Sequence, residues 1–286
     1  MAITVNTNVA SINAQRNLNA TQSRMMGNFG RLSTGLRINT AADDAAGLGI
    51  SEKLKAQIRS MSQAERNAQD GISLLQTAEG AMNEVAGVLT RMRELAVQSA
   101  TDTVGGTERG FLDSEVSALK DELDRIAAVS EFNGAKLLGG GATGTTFSFQ
   151  VGIGATTNDR IQATIKGTKS TDLGRITGGS VSSVAGIDLS SVTGAQAALS
   201  VLDQAITDVS SRRADMGSVQ NRLSVTIANL GTARENLSAA NSRIRDVDVA
   251  AETADMTRNN ILMQAGTSIL AQANQQPSIA LSLLQG

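Results

Sequence analysis

LKAQIRSMSQAERNAQDGISLLQTAEGAMNEVAGVLTRMRELA, residues Leu54 to Ala96, decides the fold. Stepping by sevens from Leu54 lands on Met61, Ala68, Leu75, Met82, Leu89 and Ala96, and Ala64, Gly71, Ala78, Val85 and Met92 fill the interleaved positions. An unbroken heptad stripe predicts a long helix that buries one seam against a partner helix. At 1.5 Å per residue it runs about 60 Å, a rod rather than a globule. A second stripe begins at Ala195 and passes unbroken through Leu202, Val209, Met216, Leu223, Leu230, Leu237 and Ile244, while the paired positions Ala205, Val219, Ala233, Ala240 and Val247 are interrupted by Arg212 and Thr226. Two such rods must lie side by side to hide their seams.

Between the rods, TDTVGGTERG (Thr101 to Gly110) supplies a turn at Gly105 and Gly106. A shorter helix follows, with Leu112, Val116, Leu119, Leu123 and Ile126 on one face, expected to pack antiparallel to the first rod. After EFNGAKLLGGGATG (Glu131 to Gly144), TTFSFQVGI alternates Phe147, Phe149, Val151 and Ile153, and DRIQATI alternates Ile161, Ala163 and Ile165. The connecting GATTND makes these a β-hairpin around residues 145–166. Residues 166–194 are rich in Gly, Ser, Thr and Val and carry little periodicity.

The two ends of the chain share a character of their own. Val5, Val9, Ile12, Leu18, Met25, Phe29, Leu32 and Leu36 form a helical stripe in a stretch of 42 residues without Asp or Glu. MTRNNILMQAGTSILAQANQQPSIALSLL (Met256 to Leu284), also acid-free, puts Leu262, Met263, Gly266, Ile269, Leu270, Ala273, Ala280, Leu281 and Leu284 on one broad face. RINTAADDAAGLGIS (Arg37 to Ser51) breaks the pattern as a loop or hinge between an end module, residues 1–42 with 253–286, and a rod module, residues 43–252. The expected class is mainly α: a coiled-coil-like bundle of antiparallel rods, a small β-hairpin, and terminal helices paired as a separate module.

Composition removes most enzyme chemistry. The 286 residues contain no Cys, His, Trp or Tyr, so disulfides, thiol nucleophiles, imidazole catalysis and the usual zinc or haem ligands are excluded. A net charge of -2 from 25 basic and 27 acidic side chains gives no electrostatic footprint for nucleic acid and leaves self-association unopposed. No run of about 18 apolar residues exists to span a membrane, and the ends lack the cationic face and bulky anchors of a membrane-surface helix. The N-terminus has no secretory h-region; its acid-free, Arg-containing composition resembles a transit peptide, but a disposable leader needs no matching stripe at the far end.

Short motifs add little. Gly139, Gly141 and Gly144 fit G-x-G-x-x-G but precede a strand and open no helix, so no helix N-terminus meets a pyrophosphate. Asp43 with Asp44, and Asp246 with Asp248, are carboxylate pairs without a third ligand, expected to act as helix and loop caps. Asn19-Ala20-Thr21 and Asn236-Leu237-Ser238 match the glycosylation acceptor pattern by chance, inside helical stripes. No cofactor or metal is expected.

NTNVASINAQRNL, RLSTGLRINTAADDAAGLGISEKLKAQIR and NAQDGISLLQTAEGAMNE near the start, with VQNRL, ENLSAANSRIRD and NNILMQAGTSILAQANQQP near the end, closely resemble bacterial flagellin. The likeness covers residues 1–138 and 195–286. It implies a D0 module from the terminal helices and a D1 module of rods plus hairpin; with about fifty residues between the helical halves, no large outer D2 or D3 domain is expected. It also implies a structural subunit, secreted through the flagellar export apparatus with a secretion chaperone and assembled beneath a filament cap beside hook-associated proteins. Polymerisation residues on this reading are Val5, Ile12, Leu18, Met25, Phe29, Leu32, Leu262, Met263, Ile269, Leu270, Leu281 and Leu284. RMRELAVQSA resembles the stretch that contacts the vertebrate Toll-like receptor for flagellin, which carries the contact over to Arg91, Leu95 and Glu115, with Met92 a departure. Two rivals are a hook-filament junction protein, which shares such terminal helices, and a secreted enzyme using acidic residues.

Overall fold

A computed structural model of the chain describes residues 7–175 and 182–285, with side chains through residue 276. Five helices carry the fold: α1 (Val9–Thr34), α2 (Ala45–Ser99), α3 (Gly106–Val129), α4 (Val192–Arg245) and α5 (Val249–Gln285). Four short strands, β1 (Glu131–Phe132), β2 (Ala135–Lys136), β3 (Thr145–Gln150) and β4 (Arg160–Ile165), form two antiparallel hairpins. The chain divides into two compact units, Met1–Ile58 with Glu235–Gly286, and Arg59–Arg234.

In the Arg59–Arg234 unit the heptad reading holds side chain by side chain. Ala64, Ala68, Leu75, Ala78, Met82, Val85, Leu89, Met92 and Ala96 of α2 are buried, against Val116 and Leu123 of α3 and Leu202, Val209, Met216 and Leu223 of α4. Both neighbours run antiparallel to α2: Arg91 pairs with Glu115 and Arg109 reaches back to the Ser99 carbonyl, while Arg93 meets Asp203 and Arg234 meets Glu65. These exposed pairs align the helices more than they stabilise them; the apolar seam does the latter.

The β3–β4 hairpin aligns Phe147 with Ala163 and Phe149 with Ile161. On its inner face Ile161, Ala163 and Ile165 are buried and Phe147 and Phe149 half-buried, and the Phe149 ring lies over Gly71, where an added Cβ would come within 3.0 Å of the ring. Ile153 departs from the expected alternation: it is exposed, because the strand stops at Gln150. There the Asp159 carboxylate turns into the loop and accepts the N–H groups of Gly154 and Thr156 and the Thr156 hydroxyl. The β1–β2 hairpin was not anticipated, although Asn133 (φ 49°) and Gly134 (φ 79°) give the left-handed pair that a two-residue turn requires.

In the unperiodic segment after β4, Ser170, Gly174 and Leu189 are held by carboxylates of the helices. Asp124 accepts from the Ser170 N–H and hydroxyl, Asp113 from Leu189 N–H, and Asp208 from Gly174 N–H. Arg212, the charge that interrupted the second stripe, donates to the carbonyls of Gly167 and Asp172. Burial lowers its pKa, since no carboxylate hydrogen-bonds it directly.

The expected hinge at Arg37 to Ser51 is half the predicted length. α2 already begins at Ala45, because Asp44 accepts Gly47 N–H and so caps a helix start the sequence reading had placed at Leu54. The remaining loop is pinned: Arg37 N–H donates to Arg245 O at 2.6 Å and Val247 N–H to Gly35 O at 3.0 Å, around a Leu36–Asp246 bridge. Ile38 is buried beneath it. The first turns of α2 and the last turns of α4 belong with this joint in the terminal unit, Met1–Ile58 with Glu235–Gly286.

Candidate polymerisation interface

α1 starts where Asn8 accepts Ser11 N–H, and the same side chain donates to the Ala273 carbonyl of α5 at 2.7 Å. Ser11 donates to Asn274 at 2.7 Å, and at the other end Arg31 lies 2.7 Å from Glu252. The two helices are therefore antiparallel neighbours in the terminal unit. α1 ends at Gly35, whose φ of 70° is left-handed and admits glycine cheaply. Arg31, in the last turn, complements the helix dipole, and its bond to Glu252 raises its pKa.

The paired faces follow a three-four spacing on both helices: Ser11, Ala14, Leu18, Thr21, Met25, Asn28 and Leu32 on α1, and Glu252, Met256, Asn259, Met263, Gly266, Leu270 and Ala273 on α5. Most of these are small or polar, so the backbones approach until Cα atoms lie within 8 Å. Leu18 sits over Gly266, where an added Cβ would come within 3.1 Å of its Cδ1.

This spacing divides the residues expected to drive polymerisation. Leu18, Met25, Leu32, Met263 and Leu270 are half-buried in the intramolecular seam, whereas Ile12, Phe29, Leu262 and Ile269 point away from it and are exposed. Val9 of the same stripe is also exposed, and Met26 and Ile261, which lie off the stripes read from the sequence, join the outward set. Val5 lies outside the described residues, as do the side chains of Leu281 and Leu284. Two helices that hide one face against each other and still expose Phe29 at 56% and Ile269 at 57% leave apolar surface for a further partner.

Arg91 and Glu115 are exposed and paired at 2.8 Å, Glu94 adding a second carboxylate at 3.1 Å; the Glu115 bond raises the Arg91 pKa. Leu95 corrects the expectation for this surface. It is 1% exposed, because it belongs to the α2 seam, and it offers no side-chain surface to a receptor. The carboxylates weighed as cation ligands act as caps: Asp43 accepts from Asn39 and Thr40, and Asp248 from Ala250 and Ala251. Among the described residues no acidic cluster could hold a metal ion, and no helix is long and apolar enough to cross a membrane.

Comparison with known proteins gives the same outline. Residues 5–143 match the bacterial flagellin N-terminal helical region and residues 199–284 the bacterial flagellin C-terminal helical region. The flagellin of Halalkalibacterium halodurans is 46% identical over 281 residues, 98% of this chain and 99% of that one. The flagellin of Bacillus subtilis is 45% identical over 304 aligned residues, again 98% of this chain and 99% of that one. A solved structure described as a flagellar hook-associated protein, from Vibrio parahaemolyticus, superposes with a TM-score of 0.59 over 71% of this chain and 100% of that one, at 12% identity.

Proposed function

Because this chain belongs to the bacterial flagellin family and is a structural subunit of the flagellar filament, not an enzyme, we propose that it polymerises through the outward faces of α1 and α5. The supporting observation is the exposed apolar set Ile12, Phe29, Leu262 and Ile269 on helices that already have each other as partners. On this reading neighbours dock head to tail, and a heterologous contact whose rotation does not close extends into an open helical polymer. Self-assembly on these faces is favoured by a net charge of only -2. Nothing favours the hook-filament junction reading: the 12% likeness to a hook-associated protein speaks for the fold alone, while the 46% and 45% relatives are flagellins matched end to end.

The finer biology follows from family membership as proposal. The filament is extracellular, and its subunits reach it through the flagellar export apparatus with a secretion chaperone, adding beneath a filament cap beyond the hook-associated proteins. The terminal unit serves as D0 and the Arg59–Arg234 unit as D1. Recognition by the vertebrate Toll-like receptor for flagellin, where a host supplies it, rests on Arg91 and Glu115.

Seeded growth tests the central proposal. Sheared filament seeds added to wild-type subunits are expected to elongate, read by sedimentation and electron microscopy. Phe29→Ser with Ile269→Ser removes apolar surface from the outward face only, so helical content stays unchanged while elongation stops. Normal elongation by that double variant would show that the outward faces are not the assembly surface.

A further inference from the structure

Within the terminal unit, the α1–α5 pair contains a cleft of about 460 Å³ lined by Arg24, Asn28, Arg31, Asp255, Arg258 and Asn259, among others. Its electrostatics are unbalanced. Arg31 is held by Glu252 at 2.7 Å and Arg258 by Asp255 at 3.0 Å, but Arg24 has no ion-pair partner among the described residues. Asp43 adds a further carboxylate within electrostatic reach of Arg31, so Arg24 stands out as the guanidinium of the cleft with no carboxylate paired to it directly.

Asn28 provides an independent sign. It is only 2% exposed, and its Oδ1 accepts weakly from Arg31 at 3.4 Å, yet its Nδ2 is buried with no acceptor. A buried donor left unmade is costly, and native chains keep few of them. Arg24, without an ion pair, and Asn28, with its unpartnered amide, both line this one cleft, and a carboxylate entering it would meet the Arg24 guanidinium.

We infer that this cleft is a carboxylate-binding site, filled on assembly by an acidic side chain of a second copy of this chain. The charge pattern favours a second copy as the source. The first 42 residues contain no acid at all, so α1 cannot supply the group itself. Glu235 and Asp246 are exposed carboxylates in the same unit with no ion pair among the described residues. Leu262, on the outward apolar face, also lines the cleft, so the site is continuous with the surface proposed for polymerisation. The inference rests on that filament reading and adds to it a polar contact that selects how a neighbour docks, where the apolar face alone is indifferent to register.

Zero-length cross-linking tests it. Arg24→Lys places an amine in the cleft, and a carbodiimide joins an amine only to a carboxylate in direct contact. Subunits carrying this substitution, grown on wild-type seeds at a low ratio to wild-type protein and mapped by mass spectrometry, are expected to give a link from position 24 to an acidic residue of another copy. Isotope-labelled and unlabelled subunits distinguish links between copies from links within one. In free subunits the link should reach only Asp255 or Glu252. Filaments in which position 24 links only within its own copy overturn the inference and leave the filament reading intact. Wild-type subunits that do not elongate seeds overturn the filament reading, and this inference with it. As a second measurement, Arg24→Glu should raise the subunit concentration needed for elongation by roughly tenfold or more at unchanged helical content. An unchanged threshold counts against the site.

Discussion

Leu75, Met82, Leu89 and Met92 are fully buried where α2 meets its neighbours, and Leu123, Leu202 and Leu223 answer them. At the same heptad spacing, the α1–α5 pair places Ser11, Ala14, Thr21 and Asn28 opposite Asn259, Gly266 and Ala273. Each fully buried large side chain in the first region contributes about 1.5–3 kcal/mol, while alanines, glycines and hydroxyls contribute little apolar area. The first seam therefore holds a subunit together, and the second brings two backbones close with Leu18, Met25, Leu32, Met263 and Leu270 only half-buried between them and Ile12, Phe29, Leu262 and Ile269 left outside. Heptad spacing sets which helices pair. The residues filling it determine whether the pair is finished or still has surface to give.

The largest expected effect that separates the two regions is a cavity. Leu89→Ala, in the middle of the α2 seam, should cost about 2–5 kcal/mol in denaturant unfolding of the subunit. Leu18→Ala, its counterpart over Gly266, should cost about 1 kcal/mol, since Leu18 is only half-buried. Equal losses at the two sites would mean that the α1–α5 pair is packed as firmly as the core, and the contrast would fail.

Asn28 sharpens the comparison with an effect of opposite sign. Asn28→Leu removes the buried orphan donor and adds apolar surface to the seam, so the α1–α5 pair should gain about 1 kcal/mol or more. Hydrogen exchange of α1 amides in the free subunit reads this as slower exchange. Seeded elongation should weaken in the same variant, because the cleft loses a donor. Faster exchange together with unimpaired elongation would mean that Asn28 is a satisfied structural residue.

The two regions were also unequally legible in the sequence. Leu54 to Ala96 gave its helix, its period and its buried face directly, because large apolar residues at fixed spacing have one physical use. The terminal stripes gave helices but not the division between Leu18 and Phe29, since small and polar residues pair helices without an apolar signature. Leu95 differs for another reason: family likeness places it on a contact surface, whereas its position three residues after Met92 puts it in the buried face of α2. Residues 166–175 and 182–194 carry no readable pattern because Ser170, Gly174 and Leu189 are held by carboxylates on distant helices, Asp124, Asp208 and Asp113, which no local pattern encodes.

The smallest effect concerns the joint that pins Gly35 to Val247 in the terminal unit. The pKa of Asp43 is lowered, first by the Thr40 N–H, then by the Asn39 N–H and the Thr40 hydroxyl. A carboxylate whose folded pKa lies below its unfolded value, about 3.9, stabilises the folded loop above that pH and loses the contribution as pH falls through the folded value. Acidification from neutrality to about pH 3 should therefore loosen the loop at Asn39 and Thr40, seen as faster amide exchange after correction for the intrinsic pH dependence. Asp43→Asn should abolish that pH response while leaving the Arg59–Arg234 unit unchanged. The carboxylate is fully exposed, so the effect is local and modest. A response of the same size in the Asp43→Asn variant would mean that Asp43 is not its source and would make the loop a product of backbone pinning rather than of this charge.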